Sequence, residues 1–204
     1  MAATLNDMSY DILKLHGKYH IGNANFNDLQ EVIKRSILSH YALYVRRDVD
    51  RNGGSDEYYR TIGVELEKVS KTDIVCKPVG CTVLRSKNKI PQTVRLKTNE
   101  FKFIGTIDRL ITFTRTREEE LKYTYANDFT SAIPRYILKN EYLYVYNWSR
   151  VKTISIEDIF LTSTDDGICT LPECIHDDGN IELPMPEDIL LIIRTEVLKE
   201  LINA

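Results

Sequence analysis

The spacing of apolar residues changes character twice along this chain. Near the start, Met8, Ile12, Leu15 and Tyr19 recur at helical intervals over residues 7–19, and the run stops near Gly22. Asn25 or Asn27 is placed to cap a second helix. Through 29–45 the apolar face of that helix is Leu29, Val32, Ile33, Ile37, Tyr41 and Tyr44, so the two segments predict a helical hairpin. Asn52-Gly53-Gly54-Ser55 then breaks the pattern as an exposed loop.

Beyond the loop the period drops to two. Ile62, Val64 and Leu66 alternate with polar or small residues and predict a strand. From 76 to 161, short β-type runs follow one another almost without pause. The clearest pair is a hairpin in which 136–138 and 142–146 flank the turn-prone Lys139-Asn140-Glu141. Pro134 opens its first strand, where a missing N–H does little harm. Residues 117–122 interrupt the strands as a short helical turn. Val151, Ile154 and Ile156 alternate with polar neighbours, which predicts a half-buried sheet.

Residues 163–184 are rich in Asp, Gly, Thr and Pro and predict a long exposed connection. The helical period then returns. Pro186 stands at a first helical position, Glu187 and Asp188 lie in the first turn, and Ile189, Ile193, Val197 and Leu201 form an apolar face. The expected fold class is α+β, with an N-terminal helical hairpin, a central antiparallel β-domain and a C-terminal helix. The expected divisions are 1–55, 56–162 and 163–204, with the last helix packing on the helical part.

Charge narrows the function classes. A net charge of −3 gives no broad basic footprint for nucleic acid. The longest apolar run, 189–193, is far short of the ~20 residues that cross a bilayer. The N-terminal residues lack the basic and apolar regions of a signal peptide, which predicts a protein used without export by the general secretory route. Cys76, Cys81, Cys169 and Cys174 are then expected as reduced thiols.

Candidate chemistry is sparse. Asp48, Asp50, Asn52 and Gly53 match the opening of a calcium loop, but the twelfth position, which should supply a bidentate carboxylate, is Tyr59. A solvated loop at a helix end accounts for the same residues. Two Cys-x4-Cys pairs, 76/81 and 169/174, have the ligands for a tetrahedral zinc site but not its usual two-residue gap. They are expected as small buried hydrophobes. His16 and His20 share a helix face without the intervening Glu or third ligand of a zinc enzyme. No nucleophile elbow, phosphate-cradling loop or dinucleotide fingerprint occurs, and neither Glu118–Glu120 nor Asp165–Asp166 identifies a desolvated acid. Tyr142, Tyr144, Tyr146 and Trp148 stand at period two without interleaved Lys or Arg. That favours sheet packing or a protein interface over base stacking. No catalytic residue, metal ligand or cofactor is expected.

The β block carries an ordered set of motifs: Arg-Ser-Lys-Asn-Lys-Ile-Pro (85–91), Phe-Lys-Phe-Ile-Gly-Thr-Ile-Asp (101–108), Pro-Arg-Tyr (134–136), Tyr-Leu-Tyr-Val-Tyr-Asn (142–147) and Ile-Ser-Ile-Glu-Asp-Ile-Phe (154–160). With Pro-Met-Pro-Glu-Asp-Ile-Leu-Leu-Ile-Ile-Arg (184–194), this order resembles neck and tail ring proteins of crAss-like and related short-tailed phages of Bacteroidetes. More distantly it is similar to the podovirus tail adaptor, tail tubular protein A. The resemblance covers 62–204.

That resemblance implies a virion structural protein assembled in the host cytoplasm. It would be one subunit of a homo-oligomeric ring, a dodecamer, contacting the portal and other tail or ring proteins. The ring would line a channel that touches genomic double-stranded DNA only transiently and non-specifically during ejection, with no membrane insertion. A near-neutral charge suits such a conduit, because a strongly basic lumen would hold phosphates. Two rival readings stand beside it: a virion-associated cell-wall hydrolase, and a small metal- or nucleic-acid-binding module built on the cysteine pairs.

Overall fold

A computed structural model of the chain describes residues 3–16, 24–69, 83–96, 101–125, 132–150, 152–161 and 182–203. The four cysteines, His20, Val151 and most of the 163–184 connection lie outside these residues.

Helix α1, Leu5–Leu15, starts where the Thr4 hydroxyl oxygen accepts from the Asp7 N–H at 3.2 Å. It ends at His16, whose N–H returns to the Ile12 carbonyl at 2.9 Å, so the helix stops short of the predicted 7–19. Helix α2 spans Ala24–Asn52, about 43 Å at 1.5 Å per residue. It is longer than the 29–45 face suggested, and it places Asn25 and Asn27 inside the helix rather than at its cap. Its charged last two turns, Arg46 to Asn52, carry almost no apolar signal, yet they continue the backbone ladder. Gly53, with φ of 84°, ends it by donating to the Val49 carbonyl at 3.1 Å. Helix α4, Glu187–Asn203, begins with the Ile189 and Leu190 N–H groups both donating to the Pro186 carbonyl.

These three helices share one core. Met8, Ile12 and Leu13 of α1, Ile33, Ile37 and Val45 of α2, and Ile193 and Val197 of α4 are fully buried together. Val32, expected on the α2 apolar face, instead points to solvent with 53 % of its surface exposed. Strand β1, Ala3–Thr4, pairs antiparallel with a two-residue strand at Glu182–Leu183, which closes the rim of this layer. Leu183, the end of the expected exposed connection, is thereby buried.

The second core belongs to a sheet of seven strands. In chain order these are β2 Arg60–Lys68, β3 Val83–Ser86, β4 Phe103–Gly105, β5 Thr114–Arg115, β6 Arg135–Lys139, β7 Tyr142–Tyr146 and β8 Thr153–Asp158. Their spatial order is β4-β8-β2-β3-β7-β6-β5, antiparallel except between β5 and β6. The two outer strands are also joined. After β4 the chain turns through 106–111 and returns beside it, Phe113 N donating to Ile104 O at 2.8 Å. It then runs into β5, where Thr114 N donates to Pro134 O at 3.0 Å. The sheet closes on itself as a small barrel, and closure removes the open edges that would otherwise pair with other chains.

Inside the barrel lie Ile62, Val64 and Leu66 of β2, Leu143 and Val145 of β7, Ile154 and Ile156 of β8, and the rings of Phe101, Phe113, Tyr136 and Trp148. The β6–β7 hairpin turns through Asn140 and Glu141, with φ of 52° and 67°, the left-handed pair of a two-residue turn. The expected short helical turn is an eight-residue helix, α3, Glu118–Tyr125. Strand β8 departs from the half-buried expectation. It lies between β4 and β2, and Ser155, Glu157 and Asp158 are buried along with its isoleucines. Its polar side chains are covered by partners rather than by water.

The two cores touch at the end of β8. Asp158 leads to Ile159, which packs with the helices, and then to Phe160, which packs in the barrel. Val94 N donates to Ile159 O at 2.9 Å, so the 92–94 segment is stitched along the same junction.

Candidate assembly surface

The loop that closes the barrel is also its most exposed apolar feature. Thr106 and Asp108 build it from within. Thr106 N donates to Ile111 O at 3.0 Å, Ile111 N donates to the Thr106 hydroxyl oxygen at 3.1 Å, and Arg109 N donates to Thr106 O at 2.9 Å. The Thr106 hydroxyl and the Leu110 N–H both donate to one Asp108 carboxylate oxygen, and they hold that carboxyl below its ordinary value. Gly105 permits the tight return, because a Cβ there would strike the Ile111 carbonyl and stand 2.7 Å from the Phe103 ring. Braced this way, the loop presents Ile107 and Leu110 outward, Leu110 with 82 % of its surface exposed.

A buried carboxylate anchors the loop to the barrel wall. Glu157 receives Lys102 Nζ at 3.1 Å on one oxygen and the Arg109 guanidinium on the other. Lys102 also reaches Asp56 at 3.0 Å and stands 3.7 Å above the Tyr59 ring. Burial works against the Lys102 ammonium, but the carboxylates of Asp56 and Glu157 outweigh it and hold its pKa above the usual lysine value. Arg109 lies over Phe103 and adopts a left-handed backbone, φ 58°, that the ion pair and loop hydrogen bonds sustain. These residues line an open cleft of about 420 Å³. With both Glu157 oxygens occupied by cations, this cluster is a strut rather than a proton-transfer site.

A second cleft, also about 420 Å³, opens beside α2 and is lined by Ser36, Ser39, His40, Ala42, Leu43, Arg46 and Glu200. Its floor is a polar clasp between α2 and α4. His40 lies 3.1 Å from Glu196 and 3.0 Å from Glu200, and the Ser36 hydroxyl donates to Glu200 at 2.6 Å. Ser36 and His40 together hold the Glu200 carboxyl below its ordinary value. Among the described residues Arg46 has no ion-pair partner.

Of the four aromatic residues expected at an interface, three share a face. Tyr142, Tyr144 and Tyr146 alternate with the core residues Leu143 and Val145. Tyr142 and Tyr144 keep part of their surface, and Arg85 lies 5.1 Å over the Tyr142 ring. Tyr146 is buried against Val83 and Leu121 of α3. Trp148 does not continue the alternation. Asn147, with φ of 62°, turns the chain so that the indole enters the barrel, 5.2 Å from Phe113. The calcium-like residues Asp48 and Asn52 are joined to each other on the last turn of α2 at 2.7 Å. His16 faces the Leu201 carbonyl at 3.4 Å. No group of three His, Cys, Asp or Glu among the described residues is placed to hold a metal.

Two structured cores with their apolar surplus at a loop tip and on helix faces describe a part made for contact. Residues 7–204 match the family model described as phage tail ring protein 2. The chain belongs to that family. No curated protein matches it. The match takes in most of α1, the other described helices and the barrel, so it spans both cores.

Three features of this ring protein escaped sequence reasoning. The closing loop carried a readable signal, since Thr106-x-Asp108 after a glycine is a turn chemistry. Nothing in the sequence marked the strut, because Glu157 lies 48 residues beyond Arg109 along the chain. The third feature is Asp158, a desolvated carboxyl. Burial pushes its pKa up to about 7, against the hydrogen bonds it accepts from the Ile159 N–H and the Thr93 side chain. It is 1 % exposed and lines neither cleft. A general acid must reach its substrate, so this carboxyl serves the junction between the cores.

Proposed function

We propose that this tail ring protein is one subunit of a homo-oligomeric ring, a dodecamer, that joins the portal to the tail of a short-tailed phage. Its central channel passes double-stranded DNA at ejection, and its work is structural rather than catalytic. The observation that carries this reading is the family match over 7–204. The distribution of surface supports it. A closed ring needs two different patches on each copy, and apolar side chains stand exposed at the barrel tip and on the helices, among them Leu110, Leu43 and Leu191.

Within this reading the Tyr142 and Tyr144 face of the barrel, backed by Tyr146 and Trp148, contacts neighbouring proteins of the stack. Particle imaging tests the whole proposal. The expected result is a ring of this chain between portal and tail, with twelve copies. A cell-wall clearing activity lost on one carboxylate substitution would instead establish the hydrolase reading.

A further inference from the structure

We propose that the loop tip of one copy, Ile107 to Leu110, seats in the α2 cleft of the next copy around the ring. The inference rests on the ring reading above and gives it a specific contact. Three observations select this pairing.

The tip is preorganised. Its backbone is tied by the Thr106 and Asp108 hydrogen bonds and its base is fixed by the Arg109–Glu157 ion pair. Docking such a loop therefore loses little conformational freedom. Leu110 and Ile107, 82 % and 47 % exposed, belong to no core cluster of the described residues and supply the apolar knob.

The cleft has the complementary form. Ala42 and the exposed Leu43 give it an apolar wall, and the α2–α4 clasp of His40, Glu196 and Glu200 keeps that wall in place. Charge fits as well. Asp108 brings a carboxylate held ionised by its hydrogen bonds, and Arg46, which lines the cleft, is a cation in no ion pair with the described residues.

Knob and cleft are different patches of the same chain. Their contact is heterologous, the kind that repeats around a ring instead of stopping at a two-fold dimer. A second copy satisfies both the apolar and the charged half of the match, whereas the tip cannot fold back on its own braced loop.

The test is photo-cross-linking in assembled particles, with a benzophenone amino acid at position 110. The position is exposed, so the substitution leaves the core intact. The expected product is a covalent dimer of this chain, with the link mapped by mass spectrometry to residues 36–46. A dimer linked elsewhere, a link to a different protein, or no product from particles that contain the ring overturns the pairing and leaves the ring reading standing. Particles with no ring of this chain overturn the ring reading and the pairing together. Arg46→Glu separates out the charge match by placing like charge opposite Asp108. It is expected to reduce the yield of the mapped dimer by about threefold, and an unchanged yield removes Arg46 from the contact.

Discussion

The barrel and the helical layer complete their cores by different means. The barrel closes through hydrogen bonds from β4 around to β5, and its most exposed apolar side chain, Leu110, stands at one braced tip. The helical layer buries one stripe of each helix and leaves a second apolar set on α4, where Leu191, Ile192 and Ile202 face solvent opposite Leu190, Ile193 and Val197. Leu191 and Ile202 fall on nearly the same line of the helix at 3.6 residues per turn. An amphipathic helix that packs only once has one apolar stripe. In a single copy the barrel is therefore the more self-sufficient part, while the helices carry more surface suited to a neighbour.

The largest expected effect asks whether that difference makes the two parts separable. Ile193→Ala in the helical core and Leu143→Ala in the barrel each delete a fully buried side chain, at a cost of about 2–5 kcal/mol. Ile159, Val94 and Tyr58 come from the β side of the chain yet pack among the helices. That shared packing predicts one cooperative transition. Trp148, the sole tryptophan, reports the barrel by fluorescence, and far-ultraviolet circular dichroism reports the helices. Both substitutions should shift both signals together. If Ile193→Ala moves only the helical signal, the two parts unfold independently.

The junction itself should titrate. Asp158 has its pKa raised from an ordinary carboxyl value to about 7, so the folded protein holds this proton more tightly than the unfolded chain does. Stability from this group is complete below about pH 4 and is lost as the pH rises through about 7, by up to roughly 4 kcal/mol. Asp158→Asn keeps an acceptor for the Ile159 N–H and removes the charge. Melting temperatures across pH 4 to 8 should fall less steeply in the variant. An unchanged slope would assign the pH dependence to other groups.

The same junction marks where the sequence stopped being informative. The helices were legible because Ile33, Ile37 and Tyr41, and Ile189, Ile193 and Val197, repeat at the helical period, and one stripe suffices to place a helix on a core. The β6–β7 hairpin was legible because Asn140 and its neighbours sit between two alternating runs. Strand β8 was not, because its polar residues are buried by partners from distant segments: Lys102 and Arg109 on Glu157, Thr93 on Asp158. Local alternation records which way a side chain points, not what covers it. Trp148 escaped the period-two grouping for a related reason, since one left-handed residue, Asn147, reverses the faces.

Closure of the barrel gives a smaller and more local test. Gly105→Ala places a methyl group against the Phe103 ring and against the Ile111 carbonyl, a backbone group that cannot withdraw without opening the loop. A loss of about 1–3 kcal/mol is expected. Hydrogen exchange should quicken at Phe113, whose N–H is bonded to Ile104, while the amides of α2 keep their protection relative to global stability. Uniform quickening in α2 and the loop would mean that closure supports the helical layer as well.

The smallest effect should be a gain, and it should be confined to the barrel. Glu141 holds φ at 67°, a conformation that costs a non-glycine residue about 1–2 kcal/mol. Its side chain returns part of that through an ion pair with Lys89 at 2.7 Å, but both partners are more than half exposed, and such pairs are worth at most about 1 kcal/mol. Its carbonyl accepts from the Ile90 N–H at 2.7 Å, a backbone bond that any residue retains. Glu141→Gly therefore removes the backbone cost and loses only the weak pair, after which the turn reads Asn-Gly, the favoured sequence for this hairpin. A net stabilisation of about 0.5 kcal/mol is expected, measured by denaturant unfolding of the single variant and of its combination with Lys89→Ala. In the Glu141→Gly background Lys89→Ala should be nearly silent, because its carboxylate partner is gone. If Glu141→Gly instead destabilises by the full value of the ion pair, the left-handed turn is not the limiting cost, and the hairpin is held by the Lys89 contact across to the 89–91 segment.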